Sequence, residues 1–181
     1  LNDLREGERV SQALRVINER CVAGIADETI ENNVVLTCTN VVADARNRAE
    51  LSSLPTNIKT YTGSIKGEFK LAKDRLPAPM ELELKLNAQV MFTKNDATKR
   101  WVNGTIGRVI ELKSDQICVE INESKVEDQV WVSPERWEKY KYEYDPGEER
   151  IVKTSVGEYS QFPLILAWAV TIYKAQCKTL D

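Results

Sequence analysis

Histidine is absent from the chain. That absence excludes a histidine-based catalytic triad, a histidine-ligated zinc or haem site and an HExxH protease. The four cysteines, Cys21, Cys38, Cys118 and Cys177, form no CxxC pair. Neither a zinc knuckle nor a disulfide scaffold is indicated, and they read as reduced thiols. No apolar run reaches the roughly 18 residues that a membrane span needs, and the first residues lack the pattern of a secretory leader. The expectation is a cytoplasmic protein without a membrane partner. No G-x-x-x-x-G-K-[ST] phosphate loop is present: Gly63-Ser64-Ile65-Lys66-Gly67 is too short and in the wrong order. No DExx-type acidic run follows a strand to hold Mg²⁺. Cys177 lies close to Lys174 and Lys178, cations of the kind that lower a thiol pKa, but no second general base accompanies it. The expectation is no catalytic residue and no metal ligand in this chain.

What is present is ordinary in amount and uneven in distribution. Hydrophobic residues make up 42% of the 181 and charged residues 29%, a globular composition. The net charge is −3. Residues 57–75 and 94–108 each carry +3, whereas residues 111–149 carry −7. Two basic stretches on an acidic chain are either solvated loop faces or the walls of an anion site.

Residues 1–20 read as helical, broken at Gly7, with Val10, Leu14 and Ile17 at helical spacing. Both ends are abrupt, so a segment of a longer protein is expected. Residues 33–37 form a short β-branched run of the buried parallel-strand kind. A helix over about 41–51 follows, with Thr39 or Asn40 as N-cap. In open α/β sheets ligands sit beyond the carboxyl ends of strands, and free N–H groups at a helix start favour phosphate. Pro77 and Pro79 mark a boundary, after which the pattern alternates. Strands are expected at 88–93, 105–112, 116–121, 129–133, 141–144 and 151–156, with Asn103-Gly104 as a turn and Gly104 and Gly107 bracketing a tight bend. So many short strands predict a small barrel, SH3-like or OB-like, with Trp131 and Trp137 in its core or rim. The apolar stretch 164–172 after Pro163 is expected to be helical from its alanine content.

Two groups of residues suit nucleic acid. Lys99, Arg100, Trp101 and Asn103 place two cations, an indole and an amide on one expected exposed hairpin. Cations neutralise phosphates and an indole stacks on bases. Thr171, Lys174 and Gln176 supply the donor types that hold a sugar-phosphate backbone without reading sequence. The plain alternatives are that Trp101 covers the barrel and that Thr171 bonds back to its own helix.

Four segments, in order, resemble the C-terminal half of superfamily-one DNA helicases that move 5′ to 3′, in the RecD-like and petite-integration-frequency (PIF) branch. They are Leu1-Asn2-Asp3-Leu4-Arg5-Glu6-Gly7; Leu36-Thr37-Cys38-Thr39-Asn40 with Ala43, Asp44 and Asn47; Ala88-Gln89-Val90-Met91-Phe92-Thr93-Lys94-Asn95-Asp96 with Trp101-Val102-Asn103-Gly104-Thr105-Ile106-Gly107; and Leu166-Ala167-Trp168-Ala169-Val170-Thr171-Ile172-Tyr173-Lys174-Ala175-Gln176-Cys177-Lys178-Thr179. The last is similar to helicase motif V.

The resemblance implies an α/β fold: a partial RecA-like domain of the P-loop NTPase type, called 2A, with an inserted small SH3-like β-barrel, called 2B. The 2A part would comprise residues 1–85 and 160–181, and the 2B insertion residues 86–159. It implies a fragment of an ATP-dependent helicase of the bacterial cytoplasm that uses ATP and Mg²⁺. The catalytic groups would lie outside the fragment. Partners would be single-stranded DNA and the N-terminal RecA-like domain of the same protein. By the same resemblance Thr39, Asn40, Thr171, Lys174 and Gln176 contact the DNA backbone, with Tyr173 where the family has a DNA-facing histidine. Lys99, Arg100, Trp101 and Asn103 sit on the hairpin that guides the strand, and Cys177 and Lys178 lie near the nucleotide. Cys177 replaces a glycine of the motif and adds a β-carbon. Asn87 also stands where the family has glycine, a milder change because asparagine tolerates the left-handed region. The rival reading is a free-standing SH3-like or OB-like module that binds RNA, DNA or protein without ATP.

Overall fold

The computed structural model describes residues 2–19, 33–69, 76–121, 128–145, 147 and 150–175. The chain divides into two compact units, Leu1–Asn33 and Val34–Asp181.

The first unit holds α1 (Asn2–Glu6) and α2 (Val10–Asn18). Gly7 at φ +73 and Arg9 at φ 45 supply the turn between them, where the sequence places its break. Val10, Leu14 and Ile17 line one exposed stripe of α2.

The second unit opens with β1 (Val35–Thr37) and α3 (Asn40–Ser53). Thr39 is the N-cap, with extended backbone and a hydroxyl that accepts the Val42 N–H at 3.5 Å. There follow β2 (Lys59–Thr62), β3 (Ser64–Gly67), β4 (Glu81–Leu84) and β5 (Gln89–Phe92). Next come β6 (Ile106–Leu112), β7 (Ile117–Ile121), β8 (Asp128–Val132) and the long β9 (Glu135–Asp145) and β10 (Arg150–Gln161). Finally β11 (Leu164–Leu166), β12 (Ala169–Thr171) and α4 (Ile172–Ala175) complete the unit. Asn87, before β5, takes φ 67, the left-handed conformation anticipated for it.

Five strands form one antiparallel sheet in the order β11-β5-β6-β7-β8; β3-β10-β9 and β2-β4 form two smaller ones, and β1 pairs with β12 in parallel. The strands expected from 88 to 133 are present within a residue or two. Among the described residues the expected closed barrel is not formed. One edge of the five-stranded sheet is β11, which runs on into the parallel pair instead of returning to β8, and β9 leaves for a different sheet. The sheet therefore stays open.

The second correction concerns residues 164–172. They form two short strands and the start of α4, not a helix. Ala167 and Ala169 are fully buried because small side chains are needed where backbones pack closely. The Ala167 N–H donates to the Gln89 carbonyl at 3.0 Å, and the Gln89 side-chain amide returns a bond to the Ala167 carbonyl at 2.9 Å. Tertiary pairing thus overrides the helix preference of alanine.

Strand β5 is buried on both faces. Val90 and Phe92 join the main core with Leu82, Val109, Ile117 and Leu164, while Met91 points into a second cluster with Ile165 and Val170. Tyr159, Phe69 and Ala78 form a third, against which Trp137 packs.

Candidate nucleic-acid interface

The parallel register sets Thr37 opposite Thr171. Both strands run in the same direction, so their carboxyl ends emerge side by side. One leads through Thr39 into α3, and the other leads directly into α4. The Thr37 hydroxyl binds the Thr39 carbonyl at 3.0 Å and the Val170 carbonyl at 3.4 Å, tying the two ends together. This is the place where an open α/β sheet receives ligands.

A groove of about 650 Å³ runs from these ends between α3, the segment 76–79 and β4. Asn40, Asn103, Thr171, Tyr173 and Lys174 all line it. They come from three separate stretches of sequence, and the fold brings them together. Thr171 is buried, whereas Tyr173 is 77% exposed. The charged residues on its lining are Asp44, Glu81, Glu83, Arg48 and Lys174. The Thr93 hydroxyl, also on the lining, is buried without a hydrogen-bond partner. Thr39 lies just outside, occupied as the helix cap. Gln176, Cys177 and Lys178 fall outside the described residues.

The loop between β5 and β6 carries the remaining candidates, and its own hydrogen bonds decide their positions. Asp96 accepts from the Arg100 side chain at 2.7 and 3.1 Å, from the Arg100 N–H at 3.2 Å, and from the Thr98 N–H at 2.9 Å and hydroxyl. The Arg100 side chain, followed by the Thr98 and backbone donors, holds the Asp96 carboxyl well below the usual carboxylate range. The Asn95 side chain accepts the Asn103 N–H at 2.7 Å. Lys94 reaches Glu135 at 2.8 Å and the Arg136 carbonyl at 2.9 Å on β9. The Lys94-Asn95-Asp96 run is thus the loop's internal frame. Lys99 stands exposed at φ 63.

Trp101 is not exposed as expected. It is 5% accessible. One ring face stacks on Phe92, with centroids 4.5 Å apart and planes 26° apart, and the Arg100 guanidinium lies 4.5 Å from its centre. Its indole N–H donates to the Lys94 carbonyl at 3.2 Å. The neighbour that faces solvent is Val102, at 58%. Loop closure through Asp96 turns the indole inward and leaves the valine outside. With its ring covered, Trp101 offers no platform for a base.

Three amide side chains were missed as parts of the site. Gln89 binds Ala167, Asn47 binds the turn before β12, and Gln161 donates to the Tyr61 carbonyl at 2.9 Å and the Pro79 carbonyl at 3.0 Å. All three are buried polar residues. Asn47 and Gln89 were visible in the sequence as motif positions, and Gln161 only as an amide beside apolar strand residues, which requires a partner.

No family model matches the chain. It is 30% identical over its full length to the ATP-dependent DNA helicase Pif1 of Bdellovibrio bacteriovorus, covering 38% of that protein. It is 31% identical over 83% of its length to the enzyme of the same name from Psychrobacter sp., covering 29% of it. The structure of Bacteroides sp. Pif1 in complex with ADP-AlF4 superposes with a TM-score of 0.85 over 99% of this chain, at 27% identity. Over its whole length the chain matches one part of these Pif1 helicases. It spans between 29% and 40% of the length of these Pif1 relatives. Bacteroides Pif1 bound to single-stranded DNA superposes over the same 99%, with a TM-score of 0.66 and 28% identity.

Proposed function

We propose that the whole protein is an ATP-dependent DNA helicase that moves 5′ to 3′, and that this chain supplies part of the single-stranded DNA track and one wall of the ATP cleft. The carrying observation is the Thr37–Thr171 register, which sets Asn40, Thr171, Tyr173 and Lys174 on one groove. An amide, a hydroxyl, a phenol and an ammonium are donors suited to phosphate and sugar oxygens without base readout. Asn103 adds an amide to the same lining from the β5–β6 loop, and Lys99 is an exposed cation on that loop. Arg100 and Trp101 serve by holding that loop in shape. Thr39 acts by capping α3 behind Asn40. By the motif in which they stand, and not by any described position, Gln176 is assigned to the DNA contacts and Cys177 and Lys178 to the nucleotide.

In this reading residues 1–85 and 160–181 are the RecA-like part and 86–159 the insertion. The insertion corresponds to an SH3-like module even though its sheet stays open.

In this reading the groups that hold Mg²⁺ and hydrolyse ATP lie outside this chain. Among the described residues no group of three or more Cys, Asp or Glu could hold a metal, and the sequence carries no phosphate loop. The groups that act on ATP belong to the N-terminal domain. That the Pif1 proteins match over the whole chain speaks against a free-standing binding module. Among the described residues no helix is long and apolar enough to cross a membrane.

Anisotropy titration with oligothymidylate over a range of salt tests this reading. The chain should bind weakly, without sequence preference and with a steep salt dependence. Lys174→Ala should lower the slope of log K against log salt by about 1. An unchanged slope, or affinity for one sequence only, would rule out the track assigned here.

A further inference from the structure

The side of the groove formed by residues 76–79 is held from behind by β10. Pro77 and Pro79 have no backbone N–H, so this segment builds no ladder of its own. The carbonyls of Ala78, Pro79 and Met80 are nevertheless bound. The Tyr159 hydroxyl lies 3.0 Å from the carbonyl oxygens of both Ala78 and Pro79. The Gln161 amide donates to Pro79 at 3.0 Å, to Met80 at 3.2 Å and to Tyr61 at 2.9 Å, while its oxygen accepts the Phe162 N–H at 2.9 Å. The Gly63 N–H adds a bond to the Met80 carbonyl at 2.7 Å. Both β10 side chains are buried. A β-carbon at Gly63 would lie 2.8 Å from the Tyr159 hydroxyl oxygen, so this glycine keeps the space that the hydroxyl needs. In front, Leu76, Pro77 and Pro79 are half-buried and line the groove. Fixed from behind, they present a rigid carbon surface.

The lining differs in chemistry from one side to the other. Asn40, Thr171 and Lys174 supply donors at the strand ends, whereas Leu76, Pro77 and Pro79 offer side chains of carbon alone. Glu81 and Glu83, which follow them on β4, bring negative charge to the same lining. Phosphates are drawn to Lys174 and repelled by the glutamates. A single strand in this groove therefore keeps its backbone on the donors and turns its bases toward the carbon surface. Leucine and proline side chains pack on the faces of unstacked bases. Every base has such a face, so the contact reads no sequence.

We propose that Leu76, Pro77 and Pro79 are the base-facing wall of the track, and that Tyr159 and Gln161 are the positioning residues of that wall. The proposal rests on the single-stranded DNA track assigned above and adds which side of the strand each part of the groove meets.

The test is fluorescence anisotropy with two labelled probes, oligothymidylate and an abasic deoxyribose-phosphate chain of the same length. Both should lose affinity with salt at the same slope, because they carry the same phosphates. The wild-type chain should bind oligothymidylate about tenfold more tightly than the abasic chain. Tyr159→Phe keeps the ring and its stacking on Phe69 and Trp137. It should lose most of that preference and leave the abasic affinity unchanged. Gln161→Met is the second variant, with the same expected result. A merely structural role would lower the affinity for both probes equally, and that outcome overturns the proposal. Equal binding of the two probes by the wild-type chain also overturns it, while a salt slope that still depends on Lys174 leaves the track standing. Binding of neither probe overturns the track and its wall together.

Discussion

Asn47 and Ala169 exchange two hydrogen bonds. The Asn47 Nδ2 donates to the Ala169 carbonyl at 2.8 Å, and its Oδ1 accepts the Ala169 N–H at 2.9 Å. A side-chain amide here takes the part of a neighbouring strand. It fixes the middle of α3 to the first residue of β12, and so helps to hold Asn40 at the start of α3 beside Thr171 at the end of β12. Asn47→Leu keeps the volume but leaves both Ala169 backbone groups unsatisfied. The expected loss is about 1–3 kcal/mol for each buried group left unpaired, read from urea unfolding. Wild-type stability in this variant would mean that water or a backbone shift replaces the amide.

Trp101 supplies a second expectation, opposite to the one its surroundings suggest. With both the Phe92 stack and the indole hydrogen bond in place, Trp101→Ala should cost roughly 3–5 kcal/mol. Oligothymidylate affinity per folded molecule should stay unchanged. A variant that melts like the wild type but binds DNA more weakly would return Trp101 to the track.

These two residues also show what the sequence could and could not disclose. The motif around Thr39, Asn40 and Asn47 and the one around Thr171 and Lys174 were legible as a family pattern, and the strand-to-helix junction at Thr39 was legible from capping chemistry alone. That Asn47 bonds to Ala169 was not, because the partners lie 122 residues apart. Local pattern carries no information about such a pair. Gln89 and Ala167, 78 apart, pose the same problem, and their pairing is what turns an alanine-rich stretch into strands. Trp101 was misplaced because the charged run before it reads as solvated. In the fold Asp96 and Arg100 neutralise each other, and Lys94 is drawn to Glu135, so the run folds back over the indole. Strand count alone could not separate an open sheet from a closed barrel.

Gly107 tests the close approach of β6 and β7. A β-carbon there would lie 2.5 Å from the Val119 Cγ1 and 2.7 Å from the Glu120 carbonyl oxygen. Gly107→Ala should therefore destabilise by about 1–3 kcal/mol, the usual cost of overpacking. Adding Val119→Ala should recover only part of the midpoint in chemical denaturation, since the backbone oxygen remains. Full recovery would show that the sheet itself yields at this point.

The ion pair inside the β5–β6 loop predicts a pH dependence whose sign follows from Asp96. Its folded-state pKa is lowered, chiefly by the Arg100 side chain, while in the unfolded chain it should titrate near 3.9. The folded form therefore binds its proton less readily than the unfolded form. The stability this group contributes is present above about pH 4 and is lost as pH falls toward the folded-state value. Asp96→Asn removes that contribution at every pH. The stability gap between wild type and Asp96→Asn, measured by urea unfolding, should be widest near pH 7 and should narrow below about pH 4. Arg100 keeps its charge across this range, so the narrowing belongs to the carboxylate. A gap of constant size would mean that Asp96 acts through the shape of its hydrogen-bonded turn, with Thr98 and the Arg100 N–H as the partners that matter.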